Sequence, residues 1–330
     1  MKTLRVFLGF LIAASMAEAA VLEENFSADP AHSGWRVFGD GTLFEWDTAK
    51  ERLNVTWDSS RTNSYFYHAL PTILTKGDDF VLSFDLMLNE VVSGADPEKP
   101  STFQLAIALM NFESAARPDF FRGSGINAEI GPRHFVEFDY FPASSDGFIL
   151  ATVSPTLISS NNQFAASFAY PLELTLDDWF HVEMTYTASD QTLATVILRN
   201  GEPFAPVPDT VLGSGFSDVR LDTVAVCSFS DEQQTPPEFA GSLFARGAVD
   251  NIRVTVPPPP IQDLTGAFSN GVWRVGFTSR EHWIYTLECS GDLVTWTDVD
   301  GPAAGNGGVL VLEDSAVREN SFYRVRAARP

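Results

Sequence analysis

The chain has 330 residues, of which 43 are acidic and 21 basic, giving a formal net charge of −22, with 45% hydrophobic residues and 27 phenylalanines. Basic residues this scattered and outnumbered argue against a nucleic-acid partner, whose phosphates are held by Lys and Arg patches. An acidic surface accords instead with neutral or cationic glycans and with divalent cations.

Residues 1–19 read as a secretory signal, with Lys2 and Arg5 as the charged start, Val6 to Ala14 as the apolar core and Ala17-Glu18-Ala19 as a small-x-small cleavage site. The mature chain is then expected from Ala20, soluble outside the cytoplasm. No later stretch approaches the roughly 20 continuous apolar residues of a membrane helix. Beyond the leader, apolar residues do not recur at helical spacing, so the chain reads as all-β. Strands are predicted at 52–57, 64–69, 80–88, 103–110, 135–141, 148–153, 180–186, 193–199, 223–229 and 248–256, with turn residues between them, which implies a sandwich or jelly roll.

Pro257 to Pro260 cannot pair in a sheet and favour a stiff extended spacer. They divide a large domain, 20–256, from a small one, 261–330. In the small domain strands are predicted at 263–268, 272–278, 283–289, 295–299, 309–312 and 322–327, with Asn270-Gly271 closing a hairpin. Trp273, Trp283, Trp296, Phe322 and Tyr323 give it enough aromatic volume for a sandwich core. The chain's two cysteines, Cys227 and Cys289, are too few for a disulfide framework and are read as two buried thiols or one bond between domains.

The stretch Val136-Glu137-Phe138-Asp139-Tyr140-Phe141-Pro142 carries the most chemistry. Strand alternation puts Glu137 and Asp139 on one face and Val136, Phe138 and Tyr140 on the other. Two close carboxylates repel unless a proton, a cation or solvent intervenes, so the pair points to a glycosidase site, a metal site or a wet groove. Other strands also have one apolar and one mixed face, and the mixed faces carrying Ser83, Asp85 and Gln104 are expected to join Glu137 and Asp139 in a concave, partly solvated surface. Tyr65 and Tyr67 share a strand face and are candidates to stack on sugar rings. The five histidines are isolated from one another, with no pair at zinc-ligand spacing.

The large domain resembles the concanavalin A-like lectin/glucanase superfamily, including its laminin-G-like members. The resemblance lies in Phe80–Leu86, Val136–Pro142, Trp179–Glu183 and the closing strand Asp250–Val254. It implies a jelly-roll sandwich. Val136-Glu137-Phe138-Asp139 is similar to the legume-lectin strand whose Glu and Asp hold paired manganese and calcium ions, and on that likeness Glu137, Asp139 and Asp146 with loop carbonyls would hold calcium. Ala143 stands where that pattern has an Asn. The same stretch is similar to the Glu-x-Asp-x-x-Glu strand of family 16 glycoside hydrolases, which would make Glu137 and Asp139 catalytic. Here Pro142 replaces the last Glu and can neither donate nor accept a proton. The small domain, with Tyr285–Glu288, Ser290–Trp296 and Phe322–Arg326, resembles a fibronectin-type-III-like module of secreted bacterial proteins, which implies adhesion or spacing.

The sequence therefore favours a secreted, noncatalytic glycan-binding or surface-adhesion protein. The alternative is a glycoside hydrolase or polysaccharide lyase of the same fold, and the third reading a structural envelope protein. The expected ligand is a polysaccharide or cell-surface glycan, contacted by Glu137, Asp139, Asp85, Gln104, Tyr65 and Tyr67.

Overall fold

A computed structural model describes residues 20–122, 131–234, 240–259, 261–316 and 321–329. The expected leader and Pro260 lie outside the described residues. Contacts divide the chain into two compact units, meeting in sequence at Val256 and Pro257.

In the first unit the strands, in chain order, are β1 (Ala20–Glu24), β2 (Arg36–Phe38), β3 (Phe44–Asp47), β4 (Arg52–Asp58), β5 (Ser64–Leu74), β6 (Phe80–Ser93), β7 (Leu105–Met110) and β8 (Phe135–Phe141). There follow β9 (Thr152–Ile158), β10 (Phe164–Ala166), β11 (Trp179–Thr187), β12 (Thr192–Arg199), β13 (Glu202–Pro203), β14 (Thr210–Val211), β15 (Leu221–Ser228) and β16 (Leu243–Thr255). A single helical turn, α1 (Phe112–Ala115), follows β7.

Two antiparallel sheets result among the described residues. Sheet A has the order β13-β12-β11-β6-β16-β4-β3, with β1 paired to β16 and β14 to β12, and sheet B has the order β10-β9-β8-β7-β15-β5-β2. The period-2 pattern explains why they pack face to face. Phe80, Leu82, Phe84 and Leu86 of β6 are all buried, as are Phe180, Val182 and Met184 of β11. Val136, Phe138 and Tyr140 of β8 meet them, with Phe84 and Phe138 in edge contact at 5.5 Å between ring centroids. The all-β sandwich expected from the sequence is the observed architecture.

One predicted strand is misplaced. The apolar run Phe148-Ile149-Leu150 lies in a loop closed by Ser144, whose amide donates to the Ile149 carbonyl (2.9 Å) and whose Oγ accepts from the Ile149 amide (2.8 Å). The strand instead runs through Pro155. This residue faces Phe138 of β8 in register, and its carbonyl points the other way, accepting from the Ser167 amide. Its missing N–H therefore costs a bond only on the side of the short edge strand β10.

The second unit holds β17 (Gln262–Ser269), β18 (Val272–Thr278), β19 (Ile284–Ser290), β20 (Thr297–Ala304), β21 (Val309–Asp314) and β22 (Phe322–Ala328). They form two three-stranded antiparallel sheets among the described residues, β17-β18-β21 and β20-β19-β22. Trp273, Phe277, Trp283, Tyr285 and Leu287 are buried between them. Glu288 binds Arg324 (2.5 Å) and Arg326 (2.8 Å), and Arg324 lies over the Trp296 ring at 4.2 Å. Tyr323 stacks on Trp273 at 5.5 Å. Both cysteines are free, Cys227 buried and Cys289 half-buried.

Phe138→Ala would open a cavity between the sheets, and a loss of about 3–5 kcal/mol is expected. Urea unfolding followed by tryptophan fluorescence checks this, and a loss under about 1 kcal/mol would contradict the packing described.

Candidate functional site

On β8 the side chains opposite the sandwich core are Glu137 and Asp139, which point to the outer face of sheet B. Their cross-strand neighbours on that face are small: Ala106 and Ala108 on β7, Ser154 and Thr156 on β9. Such a floor leaves room above it. The segment from Asn111 to Arg122 fills the room. Asn111 caps α1 by accepting from the Ser114 amide (3.0 Å), and Asp222 anchors the turn through the Asn111 amide group (2.7 Å) and the Phe112 backbone N–H (2.9 Å). Phe112 then stacks on Tyr67 at 4.3 Å, and Phe120 stacks on Phe135 at 5.5 Å. The Tyr65 hydroxyl donates to the Ala115 carbonyl at 3.1 Å.

Arg122 ends this cover and reaches the carboxylates. Its Nε and Nη2 each lie 2.9 Å from Glu137 Oε2, and Nη2 lies 3.2 Å from Asp139 Oδ2. All three side chains are buried, Glu137 and Asp139 to 0% and 1% exposure. Two carboxylates against one guanidinium leave an unmatched negative charge in a medium that solvates it poorly. Burial pushes Glu137 up to about 8 against the pull of Arg122, with Asp139 adding to the rise. Asp139 is also raised by burial, again against Arg122. Burial opposes the charge on Arg122 as well, but the two carboxylates more than offset it. The cluster thus holds a proton that solvated carboxylates would have released. Among the described residues, Glu137 Oε1, Asp139 Oδ1 and Gln104 Nε2 have no hydrogen-bond partner.

This geometry corrects most of the sequence-predicted site. Glu137 and Asp139 lie under a protein cover and are not open to a sugar. Tyr65 is fully buried, Tyr67 lies under Phe112, and Gln104 is buried. Asp85 belongs to sheet A and faces away from sheet B. There its two oxygens meet His181 Nδ1 and Asn251 Nδ2, each at 2.7 Å, and it sits in register opposite Asp250, which burial pushes up to about 6. The concave surface expected to unite these residues therefore does not exist. The calcium reading fails on the same grounds. The Arg122 guanidinium already sits where a cation would, and Asp146 is spent in an exposed loop on Ser144 Oγ (2.5 Å) and the Phe148 amide (2.9 Å). Among the described residues no group of three or more His, Cys, Asp or Glu is arranged to hold a metal.

The open part of sheet B is its edge, which the sequence reading missed. The pairing of β10 with β9 continues past Ala166 through Ser167 N to Pro155 O (3.4 Å) and the mutual bonds of Ala169 and Val153 (3.0 and 3.1 Å). Along this extended edge Ala165, Ser167 and Ala169 are buried, whereas Phe164, Phe168 and Tyr170 are 40%, 57% and 67% exposed. Register places Phe164 opposite Ile158, Phe168 opposite Ser154 and Tyr170 opposite Thr152. All three rings therefore rise from the outer face, the face that carries Glu137 and Asp139. Arg122 lies 5.9 Å from the Phe164 ring centroid and so joins the buried cluster to the near end of the row. On the outer face of sheet A, a polar cleft of about 440 Å³ is lined by Glu45, Arg52, Asn54, Glu90 and Arg246, with Arg246 paired to Glu90 at 3.1 Å.

No protein-family model and no curated protein sequence matches the chain. Solved structures that it is similar to include lectin II from Ulex europaeus, with TM-score 0.44 and 11% identity over 72% of this chain and 99% of that one. Others are the botulinum neurotoxin serotype G binding domain (0.41, 8%, over 94% and 79%) and the CBM2 module of an evolved Dit protein from Lactobacillus casei BL23 phage J-1 (0.40, 12%, over 73% and 97%). The sandwich assignment stands on the strand pairing above, and no residue role is carried over from these likenesses.

The buried cluster sets a pH dependence of stability. Glu137 releases its proton near its ordinary 4.5 when unfolded and near 8 when folded, so between these values the folded chain binds the extra proton and stability falls as pH rises. Glu137→Gln keeps the shape without the titration. Urea unfolding from pH 5 to 8.5 is expected to show the variant gaining on the wild type as pH rises, and parallel curves would refute the shared proton. Arg122→Ala, which strands two buried carboxylates, is expected to lose about 3–5 kcal/mol at pH 8, and an unchanged urea midpoint there would count against the ion pairs.

Proposed function

We propose that this chain is a secreted, noncatalytic glycan-binding protein whose sugar site is the open edge of the outer face of sheet B. The observation that carries the proposal is the set of three exposed rings, Phe164, Phe168 and Tyr170, projecting from one face of one edge. Exposed apolar groups gathered in this way favour a partner over water. A pyranose has an apolar face of C–H groups and a rim of hydroxyls, so an aromatic face can take the first while the second stays hydrated.

The noncatalytic reading follows from the carboxylates. Glycoside hydrolysis needs an acid and a base or nucleophile within reach of the scissile bond. Among the described residues, Glu137 and Asp139 are bound to Arg122 beneath the cover and Asp85 lies on the other sheet, which supports the noncatalytic reading. Export rests on the leader-like residues 1–19, and a spacing or adhesive role for the second unit rests on its sequence.

A glycan-array screen of residues 20–330, with reducing-end release assayed in parallel, tests the proposal. The expected outcome is binding without release, weakened at least tenfold in the Phe168→Ala, Tyr170→Ala double variant and kept in Glu137→Gln. Release of sugar ends, or binding indifferent to the two ring deletions, would overturn it.

A further inference from the structure

The glycan-binding reading leaves open what kind of glycan the rings accept, and two features of the edge restrict it. The first is the geometry of the row. Same-face residues on a strand are spaced by about 6.5–7 Å, so Phe164 and Tyr170, six residues apart, are separated by about 20 Å. Ala166 occupies the position between Phe164 and Phe168, and its small side chain keeps the floor low there. The row is therefore a straight strip along a sheet edge, longer than one sugar ring can cover.

The second feature is charge. In a chain with 43 acidic and 21 basic residues, residues 147–172 contain no Asp, Glu, Lys, Arg or His. This stretch forms the loop into β9, β9 itself, the turn and the whole aromatic edge. What it offers besides aromatic and aliphatic groups is hydroxyls and amides: Thr152 stands half-exposed opposite Tyr170, and Asn161 is exposed in the turn before the row. Arg122, the cation beside Phe164, is already bound to Glu137 and Asp139. Residues 147–172 thus supply no cation of their own to pair with a uronate or sulfate, and the net charge of −22 disfavours polyanions.

Resting on the glycan-binding reading, we infer that the edge binds a linear, uncharged polysaccharide along its length, with successive sugar rings on Tyr170, Phe168 and Phe164, and does not recognise a chain end. The pairing of this edge with β9 sets the rings on one face before the ligand arrives, so less ordering is required on binding. Each ring contributes separately, and affinity grows with ligand length until the strip is covered.

Affinity electrophoresis of residues 20–330 in gels containing laminarin, mixed-linkage β-glucan, galactomannan, xylan, alginate or heparin tests the inference. It is paired with titration calorimetry on oligosaccharides of two to eight units from any polymer that retards the protein. The expected result is retardation by at least one neutral polymer and not by alginate or heparin. Oligosaccharides of six or more units should bind at least tenfold tighter than those of two. Phe164→Ala, Phe168→Ala and Tyr170→Ala should each weaken binding about three- to tenfold, with an unchanged thermal midpoint as the folding control. A disaccharide that binds as tightly as the octamer would refute binding along the chain, and strongest retardation by alginate or heparin would refute the uncharged class. In both cases glycan binding itself would stand. No retardation by any polymer would overturn that reading and this inference together. So would a concentration-dependent dimer in sedimentation that Phe168→Ala abolishes, which would make the row a contact between copies of the chain.

Discussion

The placement of one guanidinium over two carboxylates decides which part of the outer face of sheet B is covered. Strand geometry forces Glu137 and Asp139 onto the outer face of sheet B, and like charges so close on a low-dielectric surface need compensation. Arg122 supplies half of it, and a retained proton supplies the rest. Bringing Arg122 there requires the preceding segment to cross the sheet, and that segment carries Phe112 and Phe120 onto Tyr67 and Phe135. Burial of the centre of the sheet face and exposure of its edge are thus two results of one electrostatic requirement.

The two outer faces of the sandwich solve the problem of exposed charge differently. Sheet A remains solvated, and its charges are satisfied in the plane of the sheet, as Asp85 is by His181 and Asn251 and Glu90 by Arg246. Pairs of this kind contribute little to stability because water competes for both partners. On sheet B the two carboxylates of β8 are buried beneath Arg122, and the stretch 147–172 along the β10 border carries no charged residue.

The fold was largely legible from the sequence because alternation has a period of two and burial follows it. The strands around Phe80–Leu88, Phe135–Phe141 and Phe180–Tyr186 were located within a few residues, and the division of Glu137 and Asp139 from Val136 and Phe138 was correct. What alternation cannot give is what lies above a face. Arg122 stands fifteen residues before Glu137 in an aperiodic segment, and nothing in its local sequence marks it as the partner. The available signal was indirect: Ala106 and Ala108, small residues in a strand otherwise rich in large ones, leave space that something must fill. The same limit misassigned Asp85, since the outer faces of two stacked sheets carry the same pattern and look in opposite directions.

The aromatic edge was missed for a different reason. Phe164-Ala165-Ala166-Ser167-Phe168-Ala169-Tyr170 has the period of a strand, but its large residues point outward and its small ones inward, the inverse of the pattern by which strands are recognised. A strand that buries alanine and exposes phenylalanine gains little from its own hydrophobic effect. It is held by its ladder to β9 and by the Thr210 hydroxyl, which reaches Ser167 Oγ and the Pro155 carbonyl, each at 2.9 Å. That inversion supports the proposal that the row serves recognition: Phe168 and Tyr170, 57% and 67% exposed, contribute little to the packing of the sandwich where they stand.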